Sequence, residues 1–87
     1  MNMSQREERF AARLIELATR DVDRATRGDA CEAHRRVATF MVDELERYAA
    51  ELAVADDTTS RMREEVRRLR GAISVARIGA ETAQRAA

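Results

Sequence analysis

The fold of this chain is decided by residues 61–83, which read RMREEVRRLRGAISVARIGAETA. Apolar residues recur along this stretch at alternating intervals of four and three positions: Met62, Val66, Leu69, Ile73, Ala76, Ala80 and Ala83. This spacing is typical of a helix that buries one narrow row of side chains against another helix. The stretch therefore predicts an amphipathic helix, here called helix 3, that needs a helical partner.

A second apolar row with the same spacing precedes the first, and it predicts helix 2. Its members are Met41, Leu45, Tyr48, Leu52 and Ala55, with Val37 and Ala38 extending it backwards. The rows are separated by residues 56–60, whose side-chain oxygens compete with helical hydrogen bonds. Because so short a connection favours an antiparallel helical hairpin, we expect Leu45 to face Leu69, Met41 to face Ile73, and Leu52 to lie near Met62 and Val66. Net charges of −4 for residues 28–56 and +3 for residues 57–87 favour this pairing.

Capping residues set the other boundaries, since the chain contains no proline. Ser4 followed by Glu7 predicts a capping box at the start of helix 1, and Gly28 suits a left-handed turn at its end. Asp29 followed by Glu32 predicts a similar start for helix 2. The result is an all-α fold, a small bundle of three amphipathic helices in one domain over residues 1–87. Helix 1 covers about 5–26, helix 2 about 30–55 and helix 3 about 60–83, with fraying after Gly79.

Helix 1 carries a broad apolar stripe instead of a narrow row. One half of it contains Phe10, Leu14 and Leu17, and the other contains Ala11, Ile15, Ala18, Val22 and Ala25. A stripe this broad can cover the hairpin and still contact another subunit. Because an 87-residue chain with 3% aromatic residues has little apolar area to bury, we expect a homo-oligomer, a dimer or larger. The candidate oligomer or partner interface is Phe10, Leu14, Ile15, Leu17 and Val22.

Residues that could perform chemistry are scarce, so the sequence predicts a protein that is not an enzyme and has no cofactor. His34 is the sole histidine and could activate only Cys31, while adjacent acids such as Glu64 and Glu65 diverge by about 100° on a helix. Cys31 and His34 are also half of a zinc site that a symmetric dimer could complete. We favour the simpler interpretation, in which Cys31 is a small buried side chain and His34 lies at its edge.

Arginine supplies all sixteen basic side chains. GC-rich codons explain that bias, which points to a high-GC bacterium or its phage and does not by itself define an arginine-specific surface. Arg63, Arg67 and Arg70 lie on one face of helix 3 and could contact a nucleic-acid backbone. The alternative, which we favour, is that they are solvated or pair with the acidic helix 2, since the formal net charge is zero.

Targeting features are also absent from the sequence. No stretch reaches the length of a membrane span, no hydrophobic signal region follows the first charges, and a single cysteine fits a reducing compartment. We expect a cytoplasmic protein without a membrane partner, in which the small residues of 71–80 allow close helix packing. The favoured function is protein–protein interaction or assembly, as a small accessory or inhibitory protein. The alternative is a small dimeric nucleic-acid-binding regulator that uses the arginine row of helix 3.

Overall fold

Three helices make up the chain in a computed structural model that describes residues 4–52 and 57–86. Helix α1 spans Gln5–Ala25, α2 spans Glu32–Leu52 and α3 spans Asp57–Ala86. They pack side by side in an elongated bundle of 55 × 17 × 15 Å, which confirms the predicted all-α fold. None of the helices in the described ranges combines the length and hydropathy needed to cross a bilayer.

The core is built mainly from small side chains. Each helix contributes one row, and together the rows contain Ala11, Ile15, Ala18, Val22, Ala25, Ala38, Val42, Leu45, Ala49, Met62, Val66, Leu69 and Ile73. Five of these thirteen residues are alanine, so the helices supply little apolar area each. All of α1's buried side chains contact this shared core, so α1 closes the monomer.

Ion pairs between α2 and α3 show their register. The Arg70 guanidinium lies 2.8 Å from Asp43 and 3.3 Å from Glu46, which places Leu45 level with Leu69 as predicted. The centre of the α2 row differs from the prediction, because Val42 and Ala49 are fully buried while Met41 is only half-buried. The cause is that α2 packs against two helices, so its most buried line lies between them.

The turn between α1 and α2 differs from the prediction at both of its ends. The capping box of Ser4 and Glu7 is confirmed, but α1 ends at Thr26 in a right-handed conformation, with its hydroxyl donating to the Asp23 carbonyl. Gly28 does not adopt a left-handed conformation. Asp29 does not cap α2 either, since Cys31 accepts the first helical hydrogen bond, from the Arg35 amide.

Helix α3 is longer than the sequence indicated. Residues 57–60, which were predicted as part of a break, form the first turn of α3. The negative charge of Asp57 interacts favourably with the positive end of the helix dipole. Thr59 is buried and continues the buried row of α3 towards the start of the helix. Residue 56 and the predicted end of helix 2, residues 53–55, lie outside the described residues. The tail beyond Gly79 is helical to Ala86, yet Ala80 and Ala83 are exposed. Among the small residues of 71–80, Ala72 packs against the core, whereas no described residue packs closely on Gly71 or Gly79, because a Cβ added at either would meet no atom within 4 Å.

Candidate interaction surfaces

The largest apolar side chains lie outside the core. All three aromatic residues of the chain are at the surface, with Phe10 52% exposed, Phe40 61% exposed and Tyr48 half-buried. Phe10 and Tyr48, together with smaller neighbours, follow the outside of α1 and α2, whereas Phe40 lines the groove between α2 and α3. The surface called the α1–α2 face below consists of Phe10, Leu14, Leu17, Val37, Met41 and Tyr48.

The α1–α2 face is joined across the two helices by an aromatic pair. The rings of Phe10 and Tyr48 meet edge to face with centroids 4.8 Å apart. Partial burial, aided by the negative charges of Glu7 and Glu51, raises the pKa of Tyr48. Met41 is seven residues before Tyr48 and therefore lies on the same side of α2. Val37, four residues before Met41, continues the apolar surface towards the start of α2.

The structure divides the predicted interface residues into two groups. Ile15 and Val22 are buried in the monomer core, at 9% and 2% exposure, and their side chains contribute to the bundle itself. Leu14 and Leu17 are half-buried, and Phe10 is exposed. A partner that approaches the intact monomer therefore has access to these three residues.

Cys31 and His34 form a cap at the start of α2. The backbone N–H of Cys31 donates to Nδ1 of His34 at 3.4 Å, and hydrogen bonding from the His34 backbone N–H lowers the pKa of the Cys31 thiol. Cys31 is exposed, contrary to the interpretation of it as a small buried side chain. Among the described residues, no group of three or more potential metal ligands is brought together.

The arginine row of α3 is divided by its ion pairs. Arg70 is held by Asp43 and Glu46, and the Asp43 carboxylate is the main cause that raises the pKa of Arg70. Arg63 and Arg67 are exposed and form no ion pair with residues 4–52 or 57–86. The row therefore presents two cations to solvent instead of three.

A longer arginine row, which sequence reasoning missed, lies on the outer side of α1. It consists of Arg6, Arg9, Arg13, Arg20 and Arg24, with Arg27 just beyond the helix, and all six are exposed. Arg20, Arg24 and Arg27 surround one small depression together with Asp21. Helical spacing of three, four and seven places these residues on one side of α1, and this set is called the α1 arginine ridge below.

A groove of about 660 Å³ separates the start of α2 from the end of α3. Its walls carry charges of both signs, and those of α2 are satisfied within the chain: Glu32 pairs with Arg35 and Arg36, and Asp43 pairs with Arg70. Arg77 and Glu81 face them from α3. Because these acids and bases are neutralised by one another and solvated, the groove shows no arrangement suited to acid–base or nucleophilic chemistry.

In comparisons with known proteins, no family model, curated sequence or solved structure significantly matches this chain.

Proposed function

We propose that this chain is a non-enzymatic interaction protein that assembles with a second copy of itself through the α1–α2 face. The observation that supports the proposal is that no aromatic side chain is buried in the core, in which five of thirteen residues are alanine. Aromatic residues carry the largest apolar area per side chain and dominate the energetics of protein interfaces. The α1–α2 face holds two of them, the exposed Phe10 and the half-buried Tyr48, and a second copy would cover both.

A second copy is the partner that we propose, because a small core leaves the isolated chain close to its stability limit. Self-association stabilises the folded state by mass action and requires no other component. In a two-fold arrangement the same face serves both copies, so Phe10 and Tyr48 of each would pack near Met41 and Val37 of the other.

Sedimentation equilibrium over a wide range of protein concentration tests the proposal. We expect reversible dimers or larger assemblies that are weakened by Phe10→Lys, since loss of one aromatic anchor commonly costs about 2 kcal/mol, or about 30-fold in affinity. Val75→Lys is the matched control, because Val75 is 71% exposed and lies on α3. A protein that is monomeric throughout, or equal weakening by both substitutions, would reject the proposed face.

The cellular setting belongs to the same proposal. We propose a cytoplasmic accessory or inhibitory protein of a phage or a high-GC bacterium, on the grounds of its arginine- and alanine-rich composition. The genes that neighbour the coding sequence test this setting. Phage structural genes, a toxin gene or a regulator gene beside it would each specify a different partner, and a neighbourhood of unrelated metabolic genes would argue against an accessory role.

A further inference from the structure

We propose that the α1 arginine ridge binds the phosphate backbone of duplex nucleic acid. This inference is distinct from the proposed self-association, because it depends on the arginines of α1, of which Arg6 borders the α1–α2 face beside Phe10 and Tyr48. The ridge is straight, since Arg6 and Arg24 lie on one continuous helix and are separated along its axis by about 27 Å. That length matches about eight base pairs of a duplex.

The first step is that the ridge lacks partners within the chain. Arg13 pairs with Glu16 at 2.9 Å, whereas Arg6, Arg9, Arg20, Arg24 and Arg27 form no ion pair with any residue in 4–52 or 57–86. Two of the five acids of α1 are kept from the ridge, since Glu7 is engaged in the capping box and Glu8 lies about 130° around the helix. The other three, Glu16, Asp21 and Asp23, flank the ridge, and Asp21 lines the same depression as Arg20 and Arg24.

The second step concerns the acidic charge of α2, which is not available to the ridge. Each acid of α2 has an arginine of α2 or α3 beside it: Glu32 with Arg35 and Arg36, Asp43 and Glu46 with Arg70, and Glu44 and Glu51 with Arg47. The five arginines of α1 are matched in number by its five acids, but the acids of α2 are engaged with other arginines and only Arg13 of the ridge forms an ion pair. The complement of such a row is an external polyanion.

Nucleic acid fits this row better than a lipid surface does. A helix that lies on a membrane turns an apolar face towards the lipid, but the fully apolar row of α1, from Ala11 to Ala25, is buried in the bundle. Guanidinium groups pair with phosphate oxygens through two parallel hydrogen bonds, and a straight row of them can follow one strand. A duplex fits better than a single strand, because a single strand is held by a series of aromatic side chains that stack on its bases, and along the ridge only Phe10, beside Arg6, is an exposed aromatic residue.

Fluorescence anisotropy with a labelled mixed-sequence duplex of about 20 base pairs tests the inference. If five arginines contact phosphates, the logarithm of the binding constant should fall with the logarithm of salt concentration with a slope of about −4.5. Raising salt from about 50 to about 200 mM should then weaken binding about 500-fold. The absence of binding at low salt, or a slope near zero, would overturn the proposal.

Matched triple variants locate the surface. A triple variant should reduce the slope of the salt dependence to about −2 and weaken low-salt binding more than about tenfold. It combines Arg20→Gln, Arg24→Gln and Arg27→Gln. The control is Arg61→Gln, Arg63→Gln and Arg67→Gln, which removes the same charge from exposed positions of α3 and should leave binding within about twofold. Greater loss in the control would move the interface to α3 and contradict the α1 assignment.

Two further measurements keep the outcome decisive. If the α1 triple variant loses helicity, the pair Arg6→Gln and Arg9→Gln at the other end of the ridge should reduce the slope by about two, and an unchanged slope would refute the assignment. Vesicles of phosphatidylserine and phosphatidylcholine test the lipid alternative. Binding to these vesicles without binding to the duplex would overturn the proposal.

Discussion

Replacement of Leu69 by alanine tests the central contact between α2 and α3. Leu69 is 1% exposed and lies level with Leu45 in the core. Leucine-to-alanine changes in protein cores cost about 2–5 kcal/mol, depending on how far neighbours relax into the cavity. Five of the thirteen core residues are alanines, whose side chains cannot extend to fill space, so we expect the upper part of that range, about 4 kcal/mol. The free energy of unfolding of a chain this long is about 4–13 kcal/mol, so the change removes a third of it or more.

Urea denaturation followed by far-UV circular dichroism measures this loss, with all proteins at one concentration because self-association would add to stability. The control is Ile78→Ala, since Ile78 is 63% exposed and should change the free energy of unfolding by less than about 0.5 kcal/mol. Leu69→Asp should abolish the folded state, because it adds an unpaired buried carboxylate to the cavity. Equal effects of Leu69→Ala and Ile78→Ala, or a stable Leu69→Asp protein, would refute the assigned helix packing.

Three further predictions follow from the backbone and the charges. Gly71→Ala should raise the free energy of unfolding by about 0.5–1 kcal/mol, because Gly71 is within α3 and an added Cβ has open space; Gly28→Ala, in a turn, should raise it less in the same urea titrations. Arg70→Met removes the ion pairs with Asp43 and Glu46 and should lower the free energy of unfolding by no more than about 1 kcal/mol, an effect that high salt should remove. Arg67→Met should leave the free energy of unfolding unchanged. Because backbone hydrogen bonding lowers the pKa of Cys31 in the folded protein, its alkylation by iodoacetamide should rise at lower pH in the native than in the unfolded chain. The Cys31 thiolate should stabilise the folded protein at pH values above the pKa of this thiol in the unfolded chain, and this stabilisation should be lost as pH falls through its pKa in the folded protein. Cys31→Ser should abolish this pH dependence.

Helical periodicity in this sequence was sufficient to predict the three helices and the register of α2 against α3. Heptad spacing identified Met62, Val66, Leu69 and Ile73, all of which are buried. Periodicity was less informative for α2, because this helix packs against both α1 and α3 and its most buried residues lie between the two. The predicted row considered contacts with α3 alone and therefore left out Val42, which is fully buried. The residues that a helix buries against two neighbours cannot be derived from its spacing against one of them.

Local residue preferences misled at the ends of α2 and α3. Asp29 has a stronger intrinsic preference for capping than Cys31, yet the turn after Thr26 requires several residues before α2 can begin. Thr59 has a side chain that favours turns, but its position three residues before Met62 places it in the core, where burial determines its conformation. The start of α3 therefore follows burial in the core, whereas the start of α2 follows a local hydrogen bond, from the backbone N–H of the exposed Cys31 to His34.

The arginine ridge was accessible to sequence reasoning but was overlooked. Arg6, Arg13, Arg20 and Arg27 recur every seven residues, the same kind of count that identified Arg63, Arg67 and Arg70. The sequence could not show which arginines have partners, because the pairing of Arg70 with Asp43 joins residues 27 positions apart. Contacts between helices, and not composition, distinguish the cations that are neutralised from those that are available.

The alanine-rich core also has a consequence for temperature. Unfolding exposes apolar surface to water, and this exposure gives proteins their positive heat capacity of unfolding, about 12–15 cal/mol/K per residue on average. A chain that buries alanines and leaves its aromatic rings outside exposes less new apolar surface when it melts. Its heat capacity change should therefore be below that average, and its curve of stability against temperature should be unusually flat. Such a bundle would lose its folded state over a broad thermal transition, and cold would destabilise it little.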